Sequence, residues 1–335
     1  MNEKFLVLLL LFLASCSSLE ELNYAVNDPV VIDKSKNNEI SIITYNTQSV
    51  FGKEKAKLNG LSNYLNNQSF DFITLQEVFG EDARESLKQN AINSNYKSII
   101  PRVDYTTFPS SLWQDAGSSL WQDAGLFLAS KYPLLDLGNI DFGENTETKN
   151  GAIYQMLFKE ISISLDFISN KSVLGTLHQM NDSTKLFLFT THLQAISSKR
   201  HKTNQLKQIK SFIQNGVNTL LKKGVVTNPQ NLIVLLTGDF NYNAYNDSDF
   251  EILYKYLGRP RDLYKEFNPM IQEFTLIKKF LGLYRRVDYI FSYDSIGIIP
   301  LRRVEVKSIN VTDIVDKNNE SISDHLAIKI TFSID

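Results

Sequence analysis

A layered α/β fold is what this sequence predicts, and three observations carry the prediction. Residues 39–47 (EISIITYNT) and 70–77 (FDFITLQE) read as apolar strands. Between them, residues 53–67 carry Ala56, Leu61, Tyr64 and Leu65 at roughly helical spacing. Strand, helix, strand is the opening of an α/β layered structure. Second, residues 231–243 (NLIVLLTGDFNYN) hold an apolar, β-branched run too short for a free-standing helix, which reads as a fully buried strand. Third, 335 residues at 43% hydrophobic can bury a large core.

The remaining elements follow the same logic. Residues 81–93 read as a second helix, 126–130 (LFLAS) as a strand, and 149–163 as strand material around Ile153, Met156 and Phe158. Residues 185–192 (KLFLFTTH) form a buried strand ending at Thr191-His192. The clearest helix is 203–223, with Leu206, Ile209, Ile213, Val217, Leu220 and Leu221 on one face and Lys222-Lys223-Gly224 closing it. A helix at 247–257 has Asp or Ser available as N-cap. Strands are expected at 287–292, 301–306 and 325–333.

Residues 101–125 read as a long loop, in which SSLWQDAG at 110–117 recurs unchanged at 118–125. Eight residues are far below a solenoid period; a local duplication in a permissive loop accounts for them. It brings Trp113 and Trp121 to one surface region. Indole suits a lipid interface; a redundant copy is the alternative.

The formal net charge of -2 lacks the basic footprint of a protein that grips duplex nucleic acid. Residues 5–13 (FLVLLLLFL) have the length of a secretory h-region and are too short to span a bilayer. Leu13-Ala14-Ser15-Cys16 after that run resembles the lipobox of bacterial lipoproteins, in which the cysteine is acylated and becomes the mature N-terminus. The division expected is a signal peptide at 1–15, an acylated Cys16 with a polar tether to residue 38, and one catalytic domain over 39–335. That makes an exported protein, lipid-anchored to a bacterial membrane at the surface or outer membrane. Cys16 is the only cysteine, so no disulfide is available.

Polar residues recur where apolar strands end: Asn46, Glu77, His192, Asp239 with Asn241, Asp288, and Asp324-His325. Period-two alternation puts Asp239 and Asn241 on one side of an extended chain, and Gly238 leaves room for close approach. Asp and Asn after Gly also suit an ordinary turn. Oxygen ligands of this kind favour Mg²⁺ or another hard divalent ion, with phosphate oxygens completing the shell. There is no cysteine or paired-histidine cluster for structural zinc. A histidine beside an aspartate can act as a general base when a carboxylate orients its ring.

Taken in order, Tyr45-Asn46, Leu75-Gln76-Glu77, Thr191-His192, Gly238-Asp239-Phe240-Asn241, Val287-Asp288-Tyr289-Ile290 and Ser323-Asp324-His325 resemble the endonuclease/exonuclease/phosphatase superfamily. The resemblance runs from about Ile40 to the C-terminus. It implies a deoxyribonuclease-like, four-layer sandwich of two β-sheets flanked by helices. Thr191-His192-Leu193-Gln194-Ala195, residues 202–209 (KTNQLKQI), Asp123-Ala124-Gly125-Leu126, Ser130-Lys131-Tyr132-Pro133 and Lys149-Asn150-Gly151 are similar to the bacterial neutral sphingomyelinase C branch. Members of that branch often carry a disulfide and a protruding hairpin with exposed Trp-Phe near the last motif. Here residues 308–323 are short, polar and free of aromatics, and acylation of Cys16 is the expected substitute for holding the enzyme at a bilayer.

The resemblance implies Glu77 as ligand of Mg²⁺ and Asn46 on metal or phosphate. It makes Asp239 and Asn241 positioning groups for phosphate and water, and His325, oriented by Asp324, the general base. His192 would stabilise the charge on phosphoryl and leaving oxygens, with Asp288 a supporting acidic residue. The implied reaction of this monomer turns sphingomyelin, or a related phospholipid, into ceramide and phosphocholine, with no nucleic-acid partner. A secreted nuclease, a phosphoinositide phosphatase and a non-catalytic binding lipoprotein are the alternatives.

Overall fold

The computed structural model describes residues 17–23, 38–49, 55–106, 123–138, 140–149, 151–158 and 169–334. The expected signal segment and Cys16 lie outside the described residues, as do both tryptophans. Of the tandem repeat only Asp123, Ala124 and Gly125 are described.

The chain opens with β1 (Ser17–Asn23), β2 (Glu39–Ser49), α1 (Lys55–Gln68), β3 (Phe72–Val78), α2 (Glu81–Asn93), β4 (Ser98–Thr106) and β5 (Phe127–Ser130). It continues through β6 (Glu147–Lys149), β7 (Ala152–Met156), β8 (Ser172–Gln179), β9 (Lys185–His192), α3 (Lys199–Lys222) and β10 (Leu232–Asp239). It ends with α4 (Asp247–Leu257), β11 (Arg261–Asp262), α5 (Leu263–Phe267), β12 (Asp288–Ser292), β13 (Glu305–Thr312) and β14 (Ala327–Ser333). Two seven-stranded sheets result, ordered β1-β4-β5-β3-β2-β14-β13 and β11-β12-β10-β9-β8-β7-β6.

Alternation along the strands builds the layers. Ile42 and Phe72 point from the first sheet, and Ile233 and Leu235 from the second, into one shared core between the sheets. Their sequence neighbours Ile43 and Ile73 face the other way, against Leu61 and Leu65 of α1 and Leu87 of α2. Val234 and Leu236 likewise meet Leu206, Ile209 and Ile213 of α3 and Leu253 of α4. Both faces of each central strand are therefore apolar, as parallel-paired interior strands require. The order helix, sheet, sheet, helix is the deoxyribonuclease-like sandwich expected.

Several elements differ from expectation. The long helix begins at Lys199, because the Ser198 hydroxyl accepts from His201 N and caps it earlier. Among the strands that the pattern does not mark are β4, broken by Pro101, Arg102 and Asp104, and β8, whose Gly175 leaves space for the Phe189 ring. The strand expected at 301–306 is centred later, as β13, and pairs with β14 up to Thr312 opposite Ala327. Within the expected tether, Ser17–Asn23 pairs antiparallel with β4 as an edge strand. Among the described residues no helix is long and apolar enough to cross a membrane.

Candidate active site

Strand register assembles half of the site. β9 and β10 are parallel with His192 opposite Asp239, and β10 and β12 are antiparallel with Asp239 opposite Asp288. Three neighbouring strands thus end with His192, Asp239 and Asp288 in a row. Gly238 makes this possible: at φ 134, any Cβ would lie 1.9 Å from the Thr191 carbonyl oxygen.

The first sheet supplies the other half. β2 and β3 are parallel with Asn46 opposite Gln76, so Glu77 follows at the same end. Glu77 has a left-handed backbone, φ 57, near the end of β3. The buried Arg84 holds it there, donating to Val78 O at 2.8 Å and to Asp123 at 2.7 Å. Val78 N in turn donates to Gly125 O at 2.9 Å. The last Asp-Ala-Gly of the repeat is therefore part of the scaffold behind Glu77.

The two halves meet through Asn46. Its Nδ2 donates to Glu77 Oε1 at 3.1 Å and to Asp239 Oδ2 at 3.0 Å. The same two oxygens each stand 3.6 Å from His192 Nε2. His325 closes the cleft: Nδ1 meets Asp288 Oδ2 at 2.9 Å, and Nε2 faces Asp239 Oδ2 at 3.7 Å. Asn46, His192, Asp239, Asp288 and His325 are all buried, and Glu77, 20% exposed, opens the cluster to solvent.

Burial, then the neighbouring Asp288, pushes the Asp239 carboxyl up to about 7. Burial alone would lower His325, but Asp288 and Asp239 outweigh it and push the imidazole up to about 10. Among the described residues, the ion-pair partners of Glu77, Asp239 and Asp288 are histidines only. Such an excess of convergent carboxylate oxygens fits a hard divalent cation, and ligand atoms of Asp239, Asp288 and His325 lie within 4.8 Å of one another. A cation there would offset the negative charge that holds the imidazole protonated, and so favour the neutral ring that a general base requires.

Two expectations need correction. The Asp324 carboxylate does not reach the His325 ring: it pairs with Lys278 Nζ at 3.3 Å, and Asp288 Oδ2 is the carboxylate that meets Nδ1. Adjacent residues at a strand entrance point apart, whereas β12 delivers Asp288 directly beside the ring. Asn241 does not extend the β10 alternation, because the strand stops at Asp239 and Asn241 turns left-handed, φ 52. Its N–H donates to Asp239 Oδ1 at 2.9 Å and its Nδ2 to Leu193 O at 3.0 Å.

Supporting groups also emerge that the sequence reading did not single out. Ser323 Oγ donates to Asn46 O at 2.8 Å and accepts from His325 N at 3.1 Å, tying the last motif to the first. Thr275 Oγ1 accepts from Asp288 N at 3.1 Å. Nothing in the local sequence around Thr275 signals this; its contact exists only after folding.

No family model matches the sequence, and no curated protein matches it. Solved structures do. TDP2 from D. rerio, complexed with single strand DNA product, superposes with a TM-score of 0.55 at 18% identity, covering 89% of this chain and 100% of that one. An endonuclease/exonuclease/phosphatase family protein from Leptotrichia buccalis gives 0.53 at 16%, covering 88% and 100%. Sphingomyelinase C from Streptomyces griseocarneus gives 0.50 at 15%, covering 88% and 99%. The chain has the fold these proteins share.

Proposed function

We propose that this protein is a divalent-metal-dependent phosphodiesterase that cleaves the headgroup phosphodiester of sphingomyelin, giving ceramide and phosphocholine. The observation that carries the reading is the convergence of Asn46, Glu77, His192, Asp239 and the His325–Asp288 pair from both sheets on one cleft. The fold shared with phosphodiester-directed neighbours supports it, since a sphingomyelinase C and a TDP2 bound to a DNA product are among them.

Asp288 accepts from His325 Nδ1, which fixes the tautomer that leaves Nε2 turned into the cleft. That nitrogen takes the proton of the water that attacks phosphorus. His192 Nε2, facing the same oxygens from the opposite wall, donates to the charge that gathers on the phosphoryl and leaving oxygens. Asn46 holds Glu77 and Asp239 at fixed separation, and Asn241, pinned at Asp239 and Leu193, borders the phosphate position. Glu77 and Asp239, positioned by Asn46, would hold Mg²⁺ or a related ion, which when bound supplies positive charge against the phosphoryl oxygens.

The choice of sphingomyelin rests on the sphingomyelinase-like stretch Thr191–Ala195 and the helix after it. A nucleic-acid phosphodiester is the second reading, favoured by the DNA-bound neighbour. Release of phosphocholine from sphingomyelin is to be compared with hydrolysis of phosphatidylcholine and of DNA, each with Mg²⁺ and with chelator. Mg²⁺-dependent phosphocholine release alone is the expected result; cleavage of DNA alone would replace the lipid reading. Export and acylation at Cys16 belong to the same proposal and are checked by mass spectrometry of the membrane fraction.

A further inference from the structure

The apolar face shared by the two sheets changes character just below the site. Period-two alternation puts Ile42, Thr44 and Asn46 of β2 on that face, with Phe72, Thr74 and Gln76 of β3 beside them. From the opposing sheet come Leu188, Thr190 and His192 of β9, and Leu235, Thr237 and Asp239 of β10. Each of these four strands passes from an apolar residue to a threonine and then to a polar residue at the level of the site.

The four threonines and Gln76 are fully buried, and they bond across the gap. Thr74 Oγ1 and Thr237 Oγ1 stand 3.1 Å apart, joining β3 to β10. Gln76 Nε2 donates to Thr44 Oγ1 at 3.2 Å in its own sheet and to Thr190 Oγ1 at 3.4 Å in the other. Gln76 Oε1 is buried and finds no donor among the described residues. Stranding an acceptor there costs the fold, whereas a methionine of similar length would fill the space without that cost. Stability alone therefore does not account for a glutamine at this position.

The polar layer adds direction to the sheet contact. Apolar side chains attract one another at any relative offset, while a hydrogen bond weakens outside a narrow range of length and angle. Asn46 and Glu77 belong to one sheet, His192 and Asp239 to the other, so the spacing of the sheets is also the spacing of the site's two halves. We infer that Gln76, together with the Thr74–Thr237 pair, is a positioning residue that holds the two sheets at the separation where Glu77 and Asp239 bind one divalent ion. Such sites tolerate misplacement of only about half an ångström. The inference rests on the phosphodiesterase reading for its effect on turnover, while the metal affinity it concerns is measured without substrate.

The test compares the full chain with Gln76→Met, Thr190→Val and the two combined. Three quantities are read: Mg²⁺ affinity by calorimetry, the urea midpoint in chelator, and kcat on bis(4-nitrophenyl) phosphate. Gln76→Met removes the donors and the stranded acceptor together, and Thr190→Val removes the acceptor in the opposite sheet. Gln76→Met should keep a urea midpoint at or above that of wild type, yet weaken Mg²⁺ binding by about tenfold or more and lower kcat with it. Thr190→Val should weaken Mg²⁺ binding in the same direction, and the combined variant no further than Gln76→Met, because both changes cut one bond. Wild-type Mg²⁺ affinity in Gln76→Met, a weakening matched by a lower urea midpoint, additive losses in the combined variant, or no Mg²⁺ binding by wild type overturns the inference. Mg²⁺ binding with this dependence but no hydrolysis of any phosphodiester keeps it and removes the enzymatic reading; hydrolysis indifferent to Gln76→Met does the reverse.

Discussion

His325 and Asp288 are joined Nδ1 to Oδ2 at 2.9 Å, while the Asp324 carboxylate beside His325 in sequence faces Lys278 at 3.3 Å. The ring is thus held by the end of one central strand and not by its own neighbour. Asp288→Asn should lower turnover on a phosphodiester by on the order of 10²-fold or more, and Asp324→Asn by less than about tenfold. Comparable losses in both variants, measured as kcat at saturating Mg²⁺, would return the orienting role to Asp324.

The same pair gives the metal-free protein a pH signature. Asp288 and Asp239, against the opposing effect of burial, raise His325 from 6.5 to about 10, so protons bind more tightly to the folded state. The stability this contributes is complete below pH 6.5 and declines as pH rises through about 10. In chelator, denaturation midpoints should fall over that window, and Asp288→Asn should flatten the fall.

Asp239 is costly to the apo fold and useful to the site. Its carboxyl is buried beside Asp288 and raised to about 7, so Asp239→Asn should leave the chelated protein at least as stable as wild type. Mg²⁺ at a hundredfold excess over its Kd should raise the wild-type Tm by about 5 °C. Glu77→Gln and Asp239→Asn should remove that rise together with activity, while circular dichroism stays native. A full Mg²⁺ response in either variant would move the ion elsewhere.

His178 reports on the core, away from the cleft. It is buried against Phe72, with ring centroids 5.0 Å apart, and burial lowers it to about 4 despite the Tyr132 and Pro133 carbonyls. A depressed folded value means stability is full above 6.5 and is lost as pH falls toward 4. The loss should reach about 3 kcal/mol. His178→Gln should abolish this acid-side slope in urea titrations at successive pH values.

The repeated segment should prove unequal in its two copies. Deleting residues 110–117 should leave stability within about 1 kcal/mol, whereas Asp123→Ala should cost about 2–3 kcal/mol by removing the buried carboxylate from Arg84, which keeps Glu81 and two carbonyl oxygens. Gly238→Ala should cost about 3 kcal/mol or more, since Thr191 O occupies the place of the new methyl. Equal effects of the deletion and Asp123→Ala on urea midpoints would contradict the scaffold role of the second copy.

What the sequence determined by itself was whatever repeats locally. Apolar runs at 39–47, 70–77, 185–192 and 231–240 announced buried strands, because both faces of an interior strand must be apolar. The polar residues where those runs stop, Asn46, Glu77, His192 and Asp239, could be marked as candidates for the same reason: a buried strand carries them only at its exit. Which of them touch, and through which atoms, was settled by tertiary structure. Register across β9, β10 and β12 aligned His192, Asp239 and Asp288 from three distant segments. A left-handed turn at Asn241 took its side chain off the line that alternation from Asp239 had set. Asp288 displaced Asp324 as the partner of His325 because strand pairing, a long-range relation, sets where a carboxylate lies in space, and adjacency along the chain does not.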